Sequence, residues 1–187
     1  VIELKQPKVF LAENVKGLLS WENGLAIKTI IEDFSQLGYD VDYRLLHTAD
    51  FGIPQTRERV IIVGVRKDLH RKINWARPTH SDGGKNGLKP WVTLQEAIGD
   101  IEDEDIQKTL PNFGYSKAKR IEGTQGNNVT KPDRPGPTMR AEHHGNIEFH
   151  YKLPRRLSVR EAARIQSFPD NFIFFSSTTD AYRQIGN

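Results

Sequence analysis

Cysteine is absent from this 187-residue chain, which excludes a disulfide scaffold, a thiolate metal site and a cysteine nucleophile supplied by these residues. Long apolar runs are missing as well. No stretch approaches the roughly 18–20 apolar residues that span a bilayer, and the N-terminus has no basic region followed by an apolar one and a cleavage site. An intracellular protein is therefore expected. A strong charge of one sign is also lacking: 27 Lys and Arg stand against 24 Asp and Glu, so any binding of a polyanion must come from clustered charge. Hydrophobic residues make up 36% of the chain, which is low for a self-sufficient core of this size and points to a missing partner. The chain opens at Val1 and closes at Asn187, directly after a helical-looking run over 178–184, so neither end is expected to be a natural terminus.

The residues that are present divide by texture. Lys8 to Val15 is apolar and then turns polar, as a buried parallel strand does when its C-terminal end reaches a functional edge; Glu13 and Asn14 stand at that end. Ile27, Ile30, Ile31, Phe34 and Leu37 follow helical spacing, with Gly38 where a helix C-cap glycine belongs. Val41 to Leu46 alternates like a strand, and Val60 to Val65 is continuous and β-branched, like a strand covered on both faces. From Leu69 to Tyr151 most of the glycines, prolines and histidines gather and regular periodicity fades, apart from one helical turn at Thr93 to Ile98. Regular structure returns at Ser158, where Ser158 and Glu161 form the pattern of a capping box before a helix running toward Pro169. The expectation is an α/β fold with three segments: residues 1–68 from a sheet domain, 69–154 a loop-rich domain, and 155–187 a returning helix.

Four motifs then stand in order: Glu13-Asn14-Val15, the run Gln55 to Arg59, the run Arg156 to Asp170, and Gln184 to Asn187. Together, with a long variable insert between the second and third, they resemble the later half of the motif series of DNA cytosine-5 methyltransferases. The resemblance covers essentially the whole chain. It implies the later strands of a Rossmann-like methyltransferase sheet followed by a target recognition domain. It also implies methyl transfer from S-adenosylmethionine to C5 of a flipped cytosine in duplex DNA, in a prokaryotic, nucleoid-associated restriction-modification setting.

Under that resemblance Glu13 matches the glutamate that bonds cytosine N3 and the exocyclic amine. Arg59 and Arg57 match arginines near O2 and the active-site thiol, and Asn14 a residue that holds the neighbouring loop. An acid near N3 and a planar guanidinium near O2 are what attack at C6 requires, because both draw electron density out of the ring. Taken alone, Glu13 reads as a solvated strand-end carboxylate, and Arg57 and Arg59 as a surface pair bridged to Glu58. Thr138-Met139 resembles the family's Thr-apolar dipeptide, whose Thr steadies the phosphate beside the flipped base.

Donor and acceptor chemistry suits Arg140 to guanine, Asn146 to adenine and Glu142 to cytosine N4, with His143 and His144 between them. Lys117, Lys119 and Arg120 suit phosphate contacts, and a solvated loop is the plain alternative for all of these. His143 and His144 are adjacent, which does not suit a shared metal. Asn187, in the Gln-x-Gly-Asn motif, matches the segment that returns to the cofactor pocket.

Two parts of the family machinery precede Glu13 in that series and are absent: the Pro-Cys nucleophile loop and the Gly-rich turn that holds S-adenosylmethionine. Asp82 to Gly87 is glycine-rich but follows no strand pattern, so a flexible loop is expected there. The chain alone is accordingly expected to be inactive, and to need a missing N-terminal half or a complementary subunit. A naturally split methyltransferase, a non-catalytic DNA-binding module and a tRNA cytosine methyltransferase stand as alternatives.

Overall fold

The computed structural model describes residues 1–121, 127–141 and 147–187. In chain order its first elements are helix α1 (Ile2–Lys5), strand β1 (Val9–Val15), helix α2 (Leu25–Gln36), strand β2 (Tyr39–His47), the two-residue strand β3 (Gln55–Thr56) and strand β4 (Glu58–Arg66). Short strands β5 (His80–Ser81) and β6 (Lys89–Pro90) follow, then helices α3 (Leu94–Ile98) and α4 (Glu104–Lys108). Strand β7 (Gly136–Pro137) and helices α5 (Val159–Ile165) and α6 (Thr178–Gly186) complete the chain. Among the described residues no helix is long and apolar enough to cross a membrane.

Two compact units divide these elements: Val1–His47 with Glu58–Arg77, and Thr48–Arg57 with Pro78–Asn187. Packing rather than composition draws these boundaries. The first unit runs past residue 68, and the segment 155–187 belongs to the same unit as the loop-rich stretch before it.

The first unit is a three-stranded sheet in the order β1-β4-β2 with helix α2 on one face. Phe10, Tyr39, Val60 and Ile62 are buried there, and Ile30, Ile31 and Phe34 of α2 pack against them. The helix stops where the sequence indicates: Gly38 adopts φ 91°, a left-handed value that a side chain would strain, and its carbonyl accepts the Lys67 N–H at 2.9 Å.

Two expectations about these strands are corrected. Strand β1 runs antiparallel to β4, not parallel to a neighbour, and at Val9, Leu11 and Val15 it is exposed rather than buried. Strand β4 is central, yet on the face away from the helix Ile61 and Val63 are only half-buried and Val65 alone is buried, whereas Val60 and Ile62 on the helix side are both buried. The reason is that α2 covers one face. On the opposite face Trp75 covers β2, its indole N–H donating to Asp42 Oδ2 (2.7 Å) beneath the Arg44 guanidinium, which lies 5.1 Å from the ring centroid.

The core of the second unit gathers Leu94, Ile98, Met139, Leu157, Ile165, Tyr182 and Ile185 around helix α5. The capping box expected at Ser158 with Glu161 forms ahead of α5, and a second one, Thr93 with Glu96, starts α3 where the sequence indicates a helical turn. Helix α5 ends at Ile165, short of Pro169, and Ser167 just beyond it takes φ 64°. The arginines at i, i+4 intervals, Arg156, Arg160 and Arg164, have structural partners. Arg156 and Arg160 are fully buried and donate to backbone carbonyls, Arg160 to those of Pro111, Pro169 and Phe172, while Arg164 is shared between Asp100 and Asp170.

Beneath α5 lies a buried polar cluster with a pH consequence. His150 Nδ1 accepts the backbone N–H groups of Lys152 (3.0 Å) and Leu153 (3.2 Å), which leaves the ring proton on Nε2, 3.7 Å from Glu161 Oε1. Burial holds the His150 pKa below its ordinary value; Arg155 and Lys152 add to that, while Glu161 and Glu102 oppose it. A histidine with a depressed folded pKa takes up its proton more readily when unfolded. Stability is therefore present above the unfolded value of about 6.5 and is lost as pH falls below it. The thermal midpoint is expected to drop between pH 7 and pH 5, and by less in His150→Asn. An equal drop in both proteins, followed by circular dichroism, would contradict this.

Candidate catalytic and nucleic-acid site

Glu13 and Arg59 meet in the first unit. Register places Glu13 opposite Ile61 and Val15 opposite Arg59, so the two side chains lie diagonally on the sheet face turned away from α2. Arg59 Nε stands 2.5 Å from Glu13 Oε1, and Arg59 Nη1 donates to the Glu58 carbonyl at 2.8 Å. The arginine side chain is 21% exposed and the carboxylate 48%. The Glu58 carboxylate pairs with Lys16 at 2.9 Å. A half-exposed ion pair contributes at most about 1 kcal/mol to stability, so holding the fold together is a weak reason for this arrangement. What it achieves is orientation: the guanidinium fixes a carboxylate that still reaches solvent.

Asn14 accepts the Val15 N–H through its side-chain oxygen (2.8 Å), at the point where β1 bends into the helical turn Lys16–Leu19. It secures that bend rather than Glu13.

In the second unit, residues from three distant parts of the sequence converge. Strand β3 pairs in parallel with β7, Gln55 with Gly136 and Thr56 with Pro137. The Thr138 hydroxyl donates to the Thr56 carbonyl (2.7 Å), and the Thr56 hydroxyl donates to the Gly136 carbonyl (3.1 Å). Gln55, fully buried, accepts the Met139 N–H at 3.3 Å, and Arg57 Nη1 donates to the Met139 carbonyl at 2.9 Å. The same Arg57 nitrogen is 3.5 Å from the Gly186 carbonyl. Gly186 lies so close to the 140–141 backbone that a Cβ there would fall 2.2 Å from the Arg140 carbonyl carbon, so any side chain would push the two segments apart. The Gln-Thr-Arg run, the Thr-Met dipeptide and the Gln-x-Gly-Asn motif are thus one packed joint.

The remaining expected residues are dispersed. Lys117, Lys119 and Arg120 are exposed on an irregular segment whose backbone carbonyls at Ala118 and Lys119 accept from buried Arg156. Arg120 Nε also donates to the Asn127 carbonyl (3.2 Å). Arg140 is exposed. Asn187 ends the chain exposed, its N–H donating to the Arg183 carbonyl (3.1 Å). Glu142, His143, His144 and Asn146 lie outside the described residues. Sequence reasoning missed Gln55, although it opens the same motif as Arg57 and Arg59.

Two grooves flank Arg134 and Pro135. One, of about 570 Å³, is lined by Trp91, Thr93, Asp82 and Asp133; the other, of about 270 Å³, by Asn128, Thr130, Lys131 and Glu148. Thr56 borders both.

Comparison with known proteins agrees with this set of motifs. A protein-family model described as C-5 cytosine-specific DNA methylase matches residues 1–135 and again 107–187. The chain belongs to the C-5 cytosine-specific DNA methylase family. Among relatives of this methylase, the Type II methyltransferase M.NgoFVII of Neisseria gonorrhoeae is 39% identical over 209 residues, covering 100% of this chain and 56% of that protein. M.BsuRI of Bacillus subtilis is 37% identical, covering 97% of this chain and 46% of its own length. The chain therefore spans about half the length of the curated relatives it matches. Among solved structures, an E. coli prophage protein described as a DNA modification methyltransferase superposes with a TM-score of 0.70 at 21% identity, over 100% of this chain and 66% of that one. At that identity the likeness shows the methylase fold.

Proposed function

We propose that this chain is the base-polarising and target-reading part of a DNA cytosine-5 methyltransferase of the restriction-modification kind. The complete enzyme would transfer a methyl group from S-adenosylmethionine to C5 of a cytosine flipped out of a specific duplex site. The observation that carries the reading is the Arg59–Glu13 contact of 2.5 Å on an open sheet face, in a chain of this family. When a thiolate adds at C6, negative charge flows toward N3 and O2 of the ring. A protonated Glu13 at N3 and Arg59 at O2 stabilise that charge, and Glu13 also accepts from the exocyclic amine. Loss of the C5 proton then releases the thiolate and restores the aromatic ring.

The thiol has to come from outside this sequence, which holds no cysteine. S-adenosylmethionine would supply the electrophilic methyl group, and Asn187 is the one residue of this chain assigned to its side. Lys117, Lys119 and Arg120 would contact phosphates, and Thr138, Arg140 and the segment 142–146 the target site.

The reading is tested by combining this chain with a polypeptide that carries the thiol and the cofactor residues. Labelled methyl groups are expected to enter duplex DNA from the mixture and not from the chain alone, which should bind duplex DNA weakly. Transfer by this chain by itself, or a preference of the mixture for tRNA, would overturn it.

A further inference from the structure

The geometry points to Gln55 and Arg57 as positioning residues that set the target discrimination of the enzyme by fixing the Met139 peptide between Thr138 and Arg140. The inference rests on the methyltransferase reading above and adds to it the residues that hold the recognition segment in register.

Both polar groups of Met139 are held by side chains from one tripeptide: its N–H by Gln55 Oε1 (3.3 Å) and its carbonyl by Arg57 Nη1 (2.9 Å). The Met139 side chain is itself buried in the core. With the side chain packed and both peptide groups bonded, the backbone has little freedom at this residue, and the directions taken by its neighbours Thr138 and Arg140 follow from it. Gly186, packed against the 140–141 backbone, closes the opposite side.

Gln55 shows that this grip is specific. It is fully buried, and its Nε2 is one of only two buried side-chain polar atoms among the described residues that have no hydrogen-bond partner. A leucine or methionine would fill the same space without stranding a donor, so packing alone gives no reason for an amide here. The Met139 N–H does. For Arg57 the argument is similar. Arg57 donates to the carbonyl of Met139 and lies at the limit of reach of the Gly186 carbonyl, joining the recognition segment to the end of α6.

A misplacement of about 1 Å in a contacting group can cost a hundredfold in rate, so a loosened Met139 peptide should be felt as relaxed selectivity more than as lost affinity. The experiment uses the complete enzyme containing this sequence, acting on plasmid DNA with methylated cytosines mapped by conversion sequencing. The readout is the rate of methylation at the enzyme's own site divided by the rate at sites differing by one base pair. This ratio does not depend on how much of each preparation is folded. Gln55→Met and Arg57→Met are expected to lower it about tenfold or more. Arg57→Lys, whose single ammonium can still reach one carbonyl, is expected to restore it to within about threefold of the wild type. Where a variant methylates too slowly to map, the same ratio is read from competition binding between the two DNA sequences. A ratio unchanged in both methionine variants, with overall methylation merely reduced, would overturn the positioning roles while leaving the methyltransferase reading intact. A wild-type enzyme that leaves the plasmid unmethylated would remove that reading and this inference together.

Discussion

Arg156→Met is expected to lower the stability of the second unit by about 3–5 kcal/mol, enough to unfold a marginal domain. Arg156 is 1% exposed, and its guanidinium donates to the carbonyls of Ala118 (2.9 Å), Lys119 (3.1 Å) and Ile147 and to Asn127 Oδ1 (2.9 Å). It also lies 4.5 Å from the centroid of the Phe149 ring. Methionine keeps the stem and removes every donor, stranding acceptors on the segment that carries Lys117, Lys119 and Arg120. The Ile147 carbonyl and Asn127 Oδ1 bonds are buried, and although Asn127 Oδ1 keeps the Ile121 N–H (3.1 Å), a buried acceptor left unpaired costs about 1–3 kcal/mol; with the Ala118 and Lys119 bonds lost as well, the loss outweighs the relief of no longer burying a charge. Arg134→Met provides the contrast. Its side chain is 57% exposed and pairs with its neighbour Asp133, so no measurable change in stability is expected. Chemical denaturation of the two variants measures the difference directly. A loss below about 1 kcal/mol for Arg156→Met would mean that the buried guanidinium does not organise the recognition region.

What was legible in the sequence was what local physics decides. Helix α2 follows from the spacing of Ile27 to Leu37, its end from Gly38, and the start of α5 from the Ser158 capping box, all interactions within a few residues of chain. The direction of β1 was not legible, because an apolar run specifies burial without specifying which way the partner strand runs, and that partner, β4, begins more than forty residues later. Arg156, Arg160 and Arg164 have the spacing of a charged surface face. Their burial depends on carbonyls of other segments, such as those of Ile147 and Pro111, that no periodicity reveals. Gln55 was passed over for the same reason: its partner Met139 lies 84 residues away. The Glu13–Arg59 pairing came from resemblance to a family and not from pattern, and the geometry that supports it, a diagonal across two antiparallel strands, is tertiary.

Central to the account is that Glu13 acts on the cytosine ring and not on the fold or on DNA affinity. Glu13→Gln keeps the shape of the side chain and replaces only an exposed partner of Arg59, so its effect on stability should stay within about 1 kcal/mol. The amide cannot carry the charge change that the ring demands, and removal of a general acid and electrostatic stabiliser typically costs about 10²–10⁴-fold in rate. The decisive measurement is methylation kcat together with duplex Kd, for the complete enzyme with Glu13 and with Glu13→Gln. The account predicts that kcat falls at least about a hundredfold while Kd changes by less than about threefold; a kcat within threefold of the wild type, or a loss of binding that matches the loss of rate, would contradict it.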